Sequence, residues 1–228
     1  MNSPLAVVCD FDGTATLLDI GDEISRRFGG AAHWEDASAR FRRGELDTRG
    51  IIEAIYHHVA APEEEVRAFA VSAARLRPGF AELIAACRDR GAAFVLASGG
   101  LRQYIDAVLA AHLPADLRAH VRVMANEATF SAGGLRVRFP GDEESRAAGC
   151  AVCGSCKRVA VAQVRRGGAR FVIGVGDGFA DRCLAQFSDQ MFAREGSYLH
   201  RYCVEHALPH TAFTTLDGAA EAVRDFVE

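Results

Sequence analysis

The sequence predicts an α/β fold: a doubly wound, mostly parallel sheet with a block of helices inserted near its start. Two observations carry that reading. Short continuous apolar runs, each ending in glycine or acidic residues, alternate with amphipathic stretches along most of the chain. That is the pattern of parallel strands buried on both faces and joined by crossover helices. Between about residues 20 and 75 the strand-like runs disappear and only helical periodicity remains. The chain of 228 residues is long enough to bury a full core, as one large domain or a domain with an insertion.

In chain order, the run at residues 5–9, Leu-Ala-Val-Val-Cys, reads as a buried strand that opens into Asp10-Phe-Asp-Gly-Thr14. Four helices follow, at 22–28, 33–42, 48–58 and 62–74. Thr48 and Pro62 stand as helix starts, Pro62 at the first helical position ahead of Glu63, Glu64 and Glu65. The core is expected at 1–18 and 76–228, with residues 19–75 as a helical cap. After Arg77-Pro-Gly-Phe80 the alternation resumes with a helix at 80–90 closed by Gly91, then a strand at 93–97 that stops at Ser98-Gly-Gly100. A helix to about 110 and a strand at 121–125 come next. A hairpin is expected over 128–130 and 135–139, and residues 141–150 read as polar turns. A helix at 155–166, a strand at 171–175 ending in Gly176-Asp-Gly178, a helix at 179–187, a strand at 190–193 and two further helices complete the chain.

Composition narrows the function classes. Half the residues are hydrophobic, a quarter are charged and the net charge is −4. This argues against a nucleic-acid binder that relies on a basic face. No apolar run approaches the roughly 18 residues of a membrane span. The N-terminus lacks the basic region and long apolar stretch of a signal peptide. Seven cysteines, an odd number, suit reduced thiols better than a disulfide framework, so a cytoplasmic location is expected. Of the 26 basic residues, 25 are arginine and one is Lys157. Chance and a chemical requirement for lysine both account for the exception.

Ligands of open α/β sheets bind at the carboxyl ends of strands. Three strand ends carry polar, glycine-rich text, and Lys157 starts a helix between the last two. Asp10 and Asp12 alone could mark a simple turn. Gly176-Asp177-Gly-Phe-Ala-Asp181 repeats the acidic pairing at a second strand end without the spacing of a dinucleotide fingerprint. Four carboxylates facing one crevice suit a hard cation such as Mg²⁺, which keeps waters for a phosphate. With Mg²⁺, Lys157 and a protonated Asp12, the site is neutral and can admit a dianionic phosphate monoester. Asp10 then attacks phosphorus, and Asp12 protonates the leaving oxygen before taking a proton from water. Ser98 and the amides of Gly99 and Gly100 can hold phosphate oxygens, with a helix N-cap as the lesser alternative for Ser98. Lys157 supplies a compact point charge that a planar arginine does not replace.

At these residues the sequence resembles the haloacid dehalogenase superfamily of phosphatases. Its four motifs appear in order as Asp10-Phe-Asp-Gly-Thr14, Ser98, Lys157 and Gly176-Asp-Gly-Phe-Ala-Asp181, over residues 5–193. The insertion after the first motif is similar to the helical cap of the phosphoserine-phosphatase-like subgroup. Cys153-Gly-Ser-Cys-Lys157, Met191-Phe-Ala-Arg194 and the region 126–139 are similar to the methionine-salvage phosphatases acting on 2-hydroxy-3-keto-5-methylthiopentenyl-1-phosphate. The resemblance implies a Rossmann-like core and an aspartyl-phosphate mechanism on a small phosphorylated metabolite. It implies Asp10 as nucleophile, Asp12 as acid/base, and Asp10, the Asp12 carbonyl and Asp177 as Mg²⁺ ligands. Ser98, Gly99 and Lys157 would bind phosphate, with Asp181 behind them. Asp19 falls where phosphoserine phosphatases place a glutamate on the substrate amine, and its shorter side chain departs from that pattern.

Other readings stand beside this one. A phosphoserine phosphatase-like activity, or phosphoryl transfer to an alcohol, would use the same residues. Cys150, Cys153 and Cys156, spaced C-x-x-C-x-x-C, could form a metal-binding module, although no fourth ligand lies nearby in sequence. Cys9, Cys87, Cys183 and Cys203 read as core residues. His33, Trp34, Arg42 and Arg43 could face the substrate from the cap, or belong to a solvated face. His57 and His58 read as helix surface.

Overall fold

The structure is a computed structural model and describes residues 3–131, 134–150, 153 and 156–227. The first strand, β1 (Leu5–Cys9), leads through a tight turn at Phe11–Ala15 to α1 (Ile20–Ile24). A widened helical turn over Ser25–Gly30 precedes α2 (Ala31–Arg42), and α3 (Thr48–His57) and α4 (Glu63–Ala73) complete the helical block. Then come α5 (Phe80–Asp89), β2 (Ala93–Leu101), α6 (Arg102–His112) and α7 (Ala115–His120). The hairpin β3 (Val121–Ser131) and β4 (Gly134–Arg138) is followed by α8 (Asp142–Ala147) and α9 (Lys157–Arg166). The chain ends with β5 (Phe171–Gly176), α10 (Arg182–Phe187), β6 (Gln190–Arg194), α11 (Tyr198–Glu205), β7 (Thr211–Phe213) and α12 (Asp217–Arg224).

These strands form one sheet in the order β4-β3-β2-β1-β5-β6-β7. Every neighbouring pair is parallel except β3 and β4. The apolar run of β1 explains its central place. Leu5, Val7 and Cys9 pack into one hydrophobic cluster and Ala6 and Val8 into another, so both faces of the strand are covered. Cys9 pairs with Leu96 of β2 and with Val175 of β5. The end of β1 therefore lies level with Leu96 and Val175, where the strand order changes direction and a crevice opens.

The chain enters and leaves the helical block at one place. Thr16 and Leu76 form an antiparallel bridge. Leu17 N donates to Arg75 O at 2.9 Å and Arg77 N to Ala15 O at 2.8 Å. The Arg77 side chain, 7% exposed, fastens this junction. It donates to the carbonyls of Gly13 (2.7 Å), Thr14 (2.7 Å), Thr16 (3.2 Å) and Thr214 (3.0 Å).

The structure corrects several expected elements. β2 does not stop before Ser98-Gly-Gly100 but runs through it to Leu101. β3 is one strand rather than two, and the expected turns at 141–150 contain α8, whose first turn is all acidic. The short strand β7 was not expected, and residues 179–187 divide into a 3-10 turn and α10. The first two helices begin at Ile20 and Ala31, and Pro62 caps α4 from just outside it. The expected helix start at Ser155 and part of the hairpin turn, Ala132 and Gly133, lie outside the described residues.

Candidate active site

The end of β1 delivers Asp10 to the crevice, its amide fixed to Val175 O at 2.9 Å. The next turn needs Gly13: φ is +74°, and a Cβ there would lie 2.7 Å from Asp177 Oδ2. That close approach lets Thr14 Oγ1 donate to Asp177 Oδ1 at 2.7 Å, tying the first strand end to that of β5. Arg194, at the end of β6, donates to Asp177 Oδ2 at 2.9 Å.

Lys157, at the first position of α9 with 3% of its side chain exposed, lies between two carboxylates. Its Nζ is 2.6 Å from Asp10 Oδ1 and also pairs with Asp181 Oδ1. Burial would lower the Lys157 pKa, but Asp10 and Asp181 outweigh it and hold the ammonium well above its ordinary range. Burial and Asp181 push the Asp10 carboxyl up, and Lys157 opposes them. The other oxygen of Asp181 accepts from the amides of Asp177 (2.9 Å) and Gly178 (2.7 Å), so this fully buried side chain stands behind Lys157.

Asp12 is held from two sides. Its Oδ1 accepts from Ile20 N (3.0 Å) and Gly21 N (3.4 Å) at the start of α1. Its Oδ2 accepts from the Tyr104 hydroxyl at 2.6 Å and the Ser98 hydroxyl at 3.3 Å. Burial pushes the Asp12 carboxyl up to about 6, against the pull of those hydrogen bonds. Ser98 Oγ also accepts from Gly100 N at 2.9 Å. Ser98 is not a helix cap, because α6 begins after Leu101.

Asp10, Asp12, Ser98, Gly99, Lys157, Asp177 and Asp181 thus meet in one cleft of about 290 Å³. Asp19 lines its rim as an exposed residue and caps α1, accepting from Asp22 N at 2.8 Å. The helical block contributes an apolar wall of Phe41, Ile51, Ile52, Ile55 and Tyr56. His33, Trp34, Arg42 and Arg43 are not in that wall. Trp34 Nε1 donates to Asp22 at 2.7 Å and stacks under Arg26, while Arg43 pairs with Glu45 at 2.5 Å. Among the described residues, Asp10, Asp177 and Asp181 are the only group of three acidic, histidine or cysteine side chains whose ligand atoms lie within 4.8 Å of one another. All oxygens, they fit a hard divalent cation. Cys150, Cys153 and Cys156 form no such group, and Cys183, expected in the core, is half-buried.

Sequence reasoning missed Tyr104, Tyr56 and Arg77. Each looks ordinary in sequence: two aromatics on amphipathic helices and an arginine before a proline. Their partners are backbone and side-chain groups that only the fold brings near.

The family profile of haloacid dehalogenase-like hydrolases matches residues 7–186. The chain belongs to this family. This hydrolase is 29% identical to a 2-hydroxy-3-keto-5-methylthiopentenyl-1-phosphate phosphatase of Brevibacillus brevis over 94% of its own chain and 93% of the other. It is 30% identical to the bifunctional enzyme MtnB/MtnX of Bacillus licheniformis, matching 93% of its own chain and spanning 47% of that longer protein. The fold is shared with a phosphoserine phosphatase solved as a phospho-aspartyl intermediate analogue, at a TM-score of 0.71 and 15% identity over all of both chains. No helix among the described residues is long and apolar enough to cross a membrane.

Proposed function

We propose that this hydrolase is a cytoplasmic, Mg²⁺-dependent phosphatase that cleaves a small phosphate monoester with an uncharged apolar tail. The substrate would be like 2-hydroxy-3-keto-5-methylthiopentenyl-1-phosphate. The carrying observation is Asp10 set 2.6 Å from Lys157 in a cleft whose opposite wall carries Phe41, Ile51, Ile52 and Ile55, with Asp19 and Asp22 near its edge. Similarity to 2-hydroxy-3-keto-5-methylthiopentenyl-1-phosphate phosphatases supports the same reading. Residues 19–75 act as the cap that selects the substrate, on a core of 1–18 and 76–228.

Asp10, the Asp12 carbonyl and Asp177 would hold Mg²⁺, which when bound offsets phosphoryl negative charge. Lys157 and Ser98, with the Gly99 amide, orient the phosphoryl group against the Asp10 carboxylate. An Asp10 oxygen forms a bond to phosphorus as the bond to the leaving oxygen breaks, and Asp12 gives that oxygen its proton. Water then attacks the aspartyl phosphate. Asp12 takes the proton of this water, and inorganic phosphate and free Asp10 are restored.

The cap wall speaks to the choice of substrate. Phosphoserine brings an ammonium and a carboxylate, and Lys157, committed to two aspartates, is the only cation lining the cleft among the described residues. A substrate carboxylate against Phe41, Ile51 and Ile52 would lose its hydration without a partner.

A screen of phosphate release tests the reading. The methylthio keto-enol phosphate is expected to exceed phosphoserine and sugar phosphates by about 100-fold in kcat/KM. A chelator should abolish turnover and Mg²⁺ restore it. Asp10→Asn should be inactive on every ester. Full turnover by that variant would overturn the mechanism, and preference for phosphoserine would overturn the substrate.

A further inference from the structure

The Asp12 carboxyl has a partner that the four motifs do not supply. Tyr104 lies on α6, fully buried, and its hydroxyl donates to Asp12 Oδ2 at 2.6 Å. Ser98 reaches the same oxygen only at 3.3 Å and is itself engaged by Gly100 N. The other oxygen, Oδ1, is held by the backbone of α1. With one oxygen pinned by amides alone, the carboxyl could still swing about that contact. The tyrosine fixes the second oxygen from the opposite side.

The space around the hydroxyl is closed. A Cβ on Gly100 would lie 1.8 Å from Tyr104 Oη and 2.7 Å from Asp12 Oδ2. A Cβ on Gly21 would lie 2.5 Å from the Tyr56 hydroxyl and 3.2 Å from that of Tyr104. Two glycines, one from each side of the cleft, therefore leave room for the tyrosine pair and little else. The ring of Tyr104 packs against Phe11, their centroids 6.2 Å apart, so a phenylalanine could fill the same volume. What the hydroxyl adds is its bond to Asp12.

We infer that Tyr104 is a positioning residue for Asp12, holding its carboxyl at the orientation from which it protonates the leaving oxygen. The assignment rests on the phosphatase reading above. It goes beyond it in naming a group, outside the motifs, on which the acid step depends. Displacing an acid by a fraction of its working distance costs rate only where the proton is needed. The alcohol of an alkyl phosphate departs as a strongly basic alkoxide unless its oxygen is protonated, whereas para-nitrophenolate departs unaided.

The experiment compares kcat/KM of the full-length wild type and Tyr104→Phe on propyl phosphate and on para-nitrophenyl phosphate, with Mg²⁺ present. For Tyr104→Phe, the loss is expected to be about 30-fold on the alkyl ester and within about 2-fold on the aryl ester. In an Asp12→Asn background, the same change should produce no difference between the esters. Equal losses on both esters, or no loss on propyl phosphate, would overturn the assignment. The para-nitrophenyl activity of the wild type reports on the phosphatase reading by itself, and the ratio of the two losses reports on Tyr104 alone.

Discussion

Lys157 touches Asp10 and Asp181 while almost wholly buried, and that placement sets what can replace it. Arginine would need a wider, flat slot between the two carboxylates. Lys157→Arg is expected to lower kcat/KM by at least about 100-fold in a phosphate-release assay. Asp12 yields a pH test. Its folded pKa is raised from 3.8 to about 6, so the protonated carboxyl is the form the fold favours. The stability it contributes is complete below about 4 and is lost as pH rises through about 6. Asp12→Asn removes the buried charge, so in chelator at pH 8 it should be about 1–2 kcal/mol more stable than wild type. That gain should vanish near pH 4, with urea denaturation as the measurement. At this scale the residues singled out by type and by their place at a strand end (Asp10, Asp177) or a helix start (Lys157) are ones that the fold brings into one cleft. Tyr104 was hidden because a tyrosine in an apolar helical period looks like core. Only the approach of α6 to the first turn gives its hydroxyl a role.

The strands of the sheet centre were legible because burial on both faces leaves a continuous apolar run, as in Leu5–Cys9. The missed elements lack such a signal. β7 has three residues and two of them are exposed, while α8 is too polar and short to show a period. The strand β2 outran its expected end because Ser98, Gly99 and Gly100 look like a turn in sequence, yet β2 pairs with β3 again at Leu101 and Asn126. The junction of the helical block is the element whose strength was least visible. In sequence Arg77 marks only the place where the alternation resumes, yet its guanidinium binds four carbonyls, three from residues 13–16 and one from Thr214. Arg77→Met keeps the stem and leaves those buried carbonyls without a donor. It is expected to cost about 3 kcal/mol, read from the urea midpoint at constant slope.

Across the whole molecule, the net charge of −4 is modest, but carboxylates gather at one crevice, where Lys157 pairs with Asp10 and Arg194 reaches Asp177 from outside the lining. The fold holds like charges together there, and a cation that binds only the folded state should relieve the strain. Millimolar Mg²⁺ is expected to raise the thermal midpoint of the wild type by about 5 °C, and Asp177→Asn should abolish most of that shift. The α/β alternation and the crevice at the change of strand order were readable from the pattern of runs. The apolar wall over the crevice was not, since helix packing decides which residues of 31–57 face inward.

The bridge between Thr16 and Leu76 has one more consequence. Because the two ends of the intervening segment are stapled together by the core itself, the length of what lies between them weighs little on folding. Such a socket accepts inserts of different size and shape, so descent can exchange the helical block while the strand ends that form the crevice stay as they are.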